Sequence, residues 1–101
     1  MKRVLVRYKV KPDRADENAS YIKKVFAELK EKSPAGLRYA SFTAPDGLTF
    51  IHIASIETED DSNPLGATDA FKAFQAEIKD RCDEPPQATD LTEIGSYGFF
   101  D

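Results

Sequence analysis

The sequence predicts an α+β domain of order strand–helix–strand–strand–helix–strand, with two helices on one face of an antiparallel four-stranded sheet. Three observations predict it. The chain opens on a Val-rich run of period two, two later stretches repeat their apolar residues at the helical period, and Pro45-Asp46-Gly47 separates two segments rich in aromatic and β-branched residues. The 101 residues are the size of one domain, spanning 1–101. Folding a chain of that length buries roughly 60–70% of its unfolded surface, enough for a modest core.

Residues 3–10 form the first strand, with Val4, Val6, Tyr8 and Val10 on one face and Leu5, Arg7 and Lys9 on the other. Lys11-Pro12-Asp13 ends it. A helix follows, starting near Asp13 or Asp16 and running to Lys32, with acids in its first turn and lysines in its last. Its apolar stripe is Ala15, Ala19, Ile22, Val25, Phe26 and Leu29, and Ser33-Pro34-Ala35-Gly36 stops it. Strands over 37–44 and 48–57 then form a hairpin, with a three-residue loop expected at Pro45-Asp46-Gly47. An acidic loop, Glu57 to Asp61, leads to a second helix from about Thr68, a good N-cap, to about Asp83. Phe71, Phe74, Ile78 and Cys82 form its stripe, Pro85-Pro86 terminates it, and a last strand covers roughly 89–100.

A three-residue loop pairs Ala44 with Leu48, and hence Phe42 with Phe50, Ala40 with His52 and Arg38 with Ala54. In that register these residues share one sheet face, while Tyr39, Ser41, Ile51 and Ile53 share the other, the side expected to carry the helices. Phe42, Phe50 and Ile56 then form an apolar face with no helix over it, interrupted by Arg38 and His52, with Arg7 on the same side. Such a face needs a cover, and a second copy of the chain is the expected one. Tyr97, Phe99 and Phe100 add aromatic bulk to the last strand.

Composition narrows the function classes. A net charge of −4, with lysines interleaved among acids, disfavours nucleic acid as a partner. No apolar run has the length of a membrane span, and the N-terminus enters a strand pattern without a signal-peptide core, so no membrane partner is expected. Cys82 is the one cysteine, which fits a reducing cytoplasm. At a helix C-terminus among Asp80, Asp83 and Glu84 it reads as a small packed hydrophobe. Glu57, Glu59, Asp60 and Asp61 lack the spacing of a calcium loop and read as a solvated loop, so no metal is expected.

Two side chains stand out for chemistry. His52, the one histidine, could act as a general base on an acidic phenol or enol, or be a core or interface histidine with one hydrogen bond. Arg7 could hold an anionic substrate with its planar fork, or pair with an acid across an interface. The hairpin register brings Phe42 and Phe50 beside His52 as walls.

The strand order, the Val-rich opening running into Lys11-Pro12, and the Phe71-Lys72-Ala73-Phe74 repeat resemble the dimeric α/β-barrel superfamily, and within it the antibiotic-biosynthesis-monooxygenase type. The resemblance implies a ferredoxin-like βαββαβ fold whose sheets pack face to face in a homodimer around a cavity. It also implies an oxygenase that uses no cofactor, or a ligand-binding or assembly protein of the same fold. Under the first reading His52 takes a proton from a small aromatic ligand and Arg7 stabilises the anion. In many members a histidine precedes the Phe-x-x-Phe pair by six residues and another directly precedes it. Leu65 and Ala70 occupy those positions here, and the chain has no tryptophan, so the His, Asn and Trp set of the haem-degrading branch cannot be assembled.

Overall fold

The computed structural model describes residues 1–99. Strand β1 (Lys2–Val10) leads through a 3-10 turn at Pro12–Arg14 into helix α1 (Ala15–Lys32), followed by β2 (Leu37–Thr43) and β3 (Thr49–Ile56). A second 3-10 turn at Pro64–Ala67 precedes the helices α2 (Asp69–Gln75) and α3 (Ile78–Arg81), and β4 (Cys82–Leu91) completes the antiparallel sheet in the order β2-β3-β1-β4. The fold class is the expected one: α+β, with the ferredoxin-like strand order and the helices on one face.

Side-chain alternation decides which face the helices cover. Tyr8 and Val10 of β1, Phe50 of β3, Val25 of α1, Phe74 of α2, Leu65 and Cys82 form one buried cluster. The Val4/Val6/Tyr8/Val10 face of β1 therefore meets the helices, as its periodicity predicts. Helix α1 ends where Ser33 turns left-handed (φ 43°) and its N–H returns to the Leu29 carbonyl. Gly36 follows at φ +78°, and a Cβ there would lie 2.8 Å from Cγ2 of Thr58, so glycine is required. Helix α2 is capped by Thr68, whose hydroxyl accepts from the Phe71 N–H. Glu28 of α1 adds a clamp, its carboxylate accepting from the Ala70 N–H at 2.8 Å.

Two expectations are corrected. The hairpin loop has four residues, 45–48, closed by an Ala44 N–H to Thr49 carbonyl bond of 2.9 Å. Asp46 lengthens it: its carboxylate accepts from the N–H groups of Leu48 and Thr49 and from the Thr49 hydroxyl. These bonds hold its pKa down at about 2, the Thr49 N–H having the largest effect. The true partners are Thr43 with Phe50, Phe42 with Ile51, Ser41 with His52, Ala40 with Ile53 and Tyr39 with Ala54. A slip of one residue moves a whole strand to the other face. Phe50, His52 and Ala54 lie beneath the helices with Tyr39 and Ser41, while Ile51 and Ile53 join Phe42, Ala40 and Arg38 on the outer face.

The second helix does not run to Asp83. It breaks at Ala76 and Glu77, the latter left-handed at φ 63°, and β4 begins at Cys82 instead of near residue 89. Arg81 explains the break: its guanidinium donates to the carbonyls of Phe74 and Ala76, satisfying the groups a continued helix would have used. Pro85 and Pro86 sit inside the edge strand β4 where its register against β1 shifts between Glu84 and Gln87, a bulge that leaves their missing N–H groups out of the ladder. Tyr97 and Phe99 lie beyond this strand, Tyr97 at 99% exposure. Phe100 lies outside the described residues.

Candidate functional site

The inner face of the sheet carries a polar cluster inside an aromatic shell. His52 is 4% exposed, between the rings of Tyr8 (centroids 5.3 Å apart, 9° interplanar) and Tyr39 (5.8 Å, 13°), with Phe74 tilted against it at 5.5 Å. Register makes this arrangement. Val6 of β1 and Ser41 of β2 flank His52 on either side, and Tyr8 and Tyr39 reach in from the diagonal positions of the same face.

Both imidazole nitrogens are engaged. Nε2 lies 2.7 Å from the Tyr8 hydroxyl, and Nδ1 lies 2.6 Å from Oγ of Ser41 and 2.8 Å from the Tyr39 hydroxyl. The Tyr8 oxygen also accepts from Nδ2 of Asn18 at 2.9 Å, and Oδ1 of Asn18 accepts from Nε of Arg81 at 3.2 Å. Asn18 and Arg81 are 0% and 1% exposed. Among the described residues no buried side-chain N or O atom lacks a partner. Burial brings the His52 pKa down to about 4, so the ring is neutral at physiological pH. Burial also pushes the Tyr8 hydroxyl well above its ordinary value and the Tyr39 hydroxyl up to about 12.

This cluster borders a cavity of about 430 Å³ between the sheet and α2, walled by Val4, Val6, Ala54, Phe71, Phe74 and Leu65. Tyr8, Tyr39 and His52 bring polar atoms to its wall, and Lys2, Asn63 and Gln75 also line it. An aromatic compound of two or three fused rings fits such a volume and lining. Both phenylalanines of the Phe-x-x-Phe repeat face it. Leu65, one of the positions where the resemblance sets a histidine, lines it with an apolar side chain.

The other expected site residues do not converge on His52. Arg7 is on the outer face with its side chain 54% exposed, 3.9 Å from the Glu84 carboxylate. Phe42 is on that face too, 49% exposed. Phe50 is on the inner face but stacks behind Tyr8, at 5.6 Å and 9°, in the core. Arg38 bonds Glu57 at the rim. Asp60 caps Ser62, and Asp61 pairs with the N-terminal amine. Among the described residues no group of three or more His, Cys, Asp or Glu could hold a metal ion. Sequence reasoning missed Asn18, Arg81 and the role of Tyr8. Asn18 carried a readable signal, since it stands at the helical period between Ala15 and Ile22, where an apolar residue is expected.

Solved structures share this architecture. A crystal structure of an antibiotic biosynthesis monooxygenase superposes with a TM-score of 0.75 over 94% of this chain and 100% of its own, at 17% identity. The fold is that of the antibiotic biosynthesis monooxygenases. A candidate antibiotic biosynthesis monooxygenase from Caulobacter crescentus gives 0.71 at 23% identity, covering 93% and 90% of the two chains. A protein of unknown function from Nitrosomonas europaea gives 0.73 at 13% identity, covering 95% and 91%. No family model matches the sequence, and no curated protein matches it. At these identities the likeness to the monooxygenases is one of fold, and the chemistry must be argued from His52 and its surroundings.

Proposed function

We propose that the chain is a small-molecule enzyme of the cofactor-independent monooxygenase type, acting on an acidic aromatic compound in the cavity between the sheet and α2. One observation carries this reading: the single histidine is buried against that cavity, with a tyrosine hydroxyl on each ring nitrogen. A substrate CH₂ made acidic by a flanking ring and carbonyl would lose a proton to Tyr8 as the Tyr8 proton moves to Nε2 of His52. The resulting carbanion is electron-rich enough to reduce O₂ directly. A C–O bond forms, one oxygen atom stays as a carbonyl, and the other leaves as water with the two displaced hydrogens.

The pKa of about 4 at His52 favours a second reading, capture without turnover, because a desolvated imidazole accepts a proton reluctantly. Oxygen uptake with 9-anthrone as probe separates the two. The first reading expects uptake above the uncatalysed rate, reduced at least ~100-fold in His52→Ala with the fold retained. Binding of anthrone with no added uptake selects capture, and a His52→Ala protein as fast as wild type contradicts the catalytic role.

The chain is read as one domain that pairs with a second copy through the outer sheet face. Leu5, Ile51 and Ile53 there are apolar and only partly buried, with Phe42 beside them half in solvent. Light scattering should give twice the monomer mass, and Phe42→Asp should give the monomer with an unchanged circular dichroism spectrum. A wild-type monomer at micromolar concentration contradicts the pairing. No described helix is long and apolar enough to cross a membrane, and the buried thiol of Cys82 supports a reducing cytoplasm.

A further inference from the structure

We infer that Arg81 and Asn18 are positioning residues that impose one direction on the hydrogen bonds reaching the cavity, so that the site recognises its ligand through an acceptor oxygen. The inference rests on the reading of that cavity as the ligand site.

The direction follows from what each group can do. A guanidinium only donates, so Nε of Arg81 fixes Oδ1 of Asn18 as its acceptor and turns Nδ2 toward Tyr8. The Tyr8 oxygen therefore accepts from Asn18, and its own proton is left for Nε2 of His52, 2.7 Å away. A neutral imidazole whose Nε2 accepts carries its proton on Nδ1, which faces the Ser41 oxygen at 2.6 Å. The same Nδ1 lies 2.8 Å from the Tyr39 oxygen, so with its proton in place that hydroxyl finds no acceptor on the ring. Tyr39, last in the series and on the cavity wall, has its proton left for whatever occupies the cavity. An apolar aromatic carrying a carbonyl or an anionic oxygen satisfies that donor, and a bare hydrocarbon leaves it unpaired.

Arg81 is suited to anchor the series because it is buried and held on several sides. It is 1% exposed, its Nη2 bonds the Phe74 carbonyl at 2.6 Å, and it stacks over the Tyr21 ring at 4.6 Å. Among the described residues no carboxylate pairs with it, and the carbonyls at the C-terminal end of α2 compensate its charge. A carboxylate at that place would pair with Arg81 but could not donate to Tyr8, which is why an amide at position 18 matters.

Nitrogen-detected NMR of the His52 ring in the whole, ligand-free protein tests the relay. The expected result is a protonated Nδ1 and an unprotonated Nε2. In Asn18→Asp, which keeps a partner for Arg81, the Tyr8 proton turns to the new carboxylate and the His52 tautomer reverses. A wild-type ring with its proton on Nε2, or an Asn18→Asp ring still protonated on Nδ1, overturns the inference, and the wild-type spectrum alone suffices if the variant does not fold. Calorimetry with 9-fluorenone and fluorene, which differ by the carbonyl oxygen, tests the consequence: fluorenone should bind roughly tenfold tighter. Equal affinities overturn acceptor recognition. Failure of both probes to bind contradicts the cavity reading instead, and leaves the ring tautomer to decide the relay.

Discussion

The two faces of the sheet solve opposite problems. The inner face buries Arg81, Asn18, Tyr8 and His52 together, and each polar atom meets a partner within 3.3 Å. The outer face carries Arg7 in mid-sheet, where it reaches Glu84 only at 3.9 Å, and leaves apolar Phe42 half in solvent. In a low dielectric an unpaired polar group costs more than a pair returns, so the inner network is held in one geometry. On the outer face Arg3 and Arg38 pair with Glu93 and Glu57, and the apolar groups are the ones without a cover. Geometric precision on one side and uncovered apolar surface on the other fit the proposed division, chemistry within and association without.

Mutations should reproduce that difference in size. The largest effect is expected on the inner wall. Phe74→Ala removes a ring packed against Tyr8, His52 and Phe71, and should cost about 3–5 kcal/mol in denaturant titrations. Phe42→Ala at the same protein concentration should cost the fold far less, its effect showing in association. Equal losses at the two positions would erase the distinction between the faces.

Next in size is a pH effect that only the inner face should have. The folded pKa of His52, about 4, lies below the unfolded value of about 6.5. Between these values the unfolded chain binds a proton that the folded chain refuses, so stability is full above pH 6.5 and falls as pH drops toward 4. The loss is on the order of 3 kcal/mol. Replacing His52 by Gln should flatten that part of the curve, and an unchanged slope would show that other groups produce it. Smallest of all is Arg7→Ala. An exposed pair at 3.9 Å contributes at most about 0.5 kcal/mol, so in the monomeric Phe42→Asp background the substitution should leave the melting curve unchanged in moderate salt.

The same contrast explains what was readable in the sequence. Alternation located the inner face of β1, and the helical period located the stripe of α1, because both are properties of a single element. The faces of β3 depend on how many residues the hairpin loop holds, and Asp46 sets that number through three bonds that Pro-Asp-Gly alone does not announce. The early end of α2 escaped notice for a similar reason: Arg81 reads as one more helical residue until its guanidinium is seen on the Phe74 and Ala76 carbonyls. His52 was legible as chemistry because it is the one histidine, yet its surroundings required the true register. Tyr8 was hidden by the apolar face it occupies, whereas Asn18, polar on an apolar stripe, was a readable sign because burial obliges it to find a partner.

The most direct test of the central claim maps where an aromatic ligand binds. Adding 9-fluorenone to the isotope-labelled protein and following its NMR spectrum should perturb Tyr39, His52, Phe71 and Phe74, with Ile51 and Phe42 unchanged. Perturbations confined to Phe42, Ile51, Ile53 and Arg7, with the His52 ring signals unmoved, would put the ligand on the outer face and contradict the account.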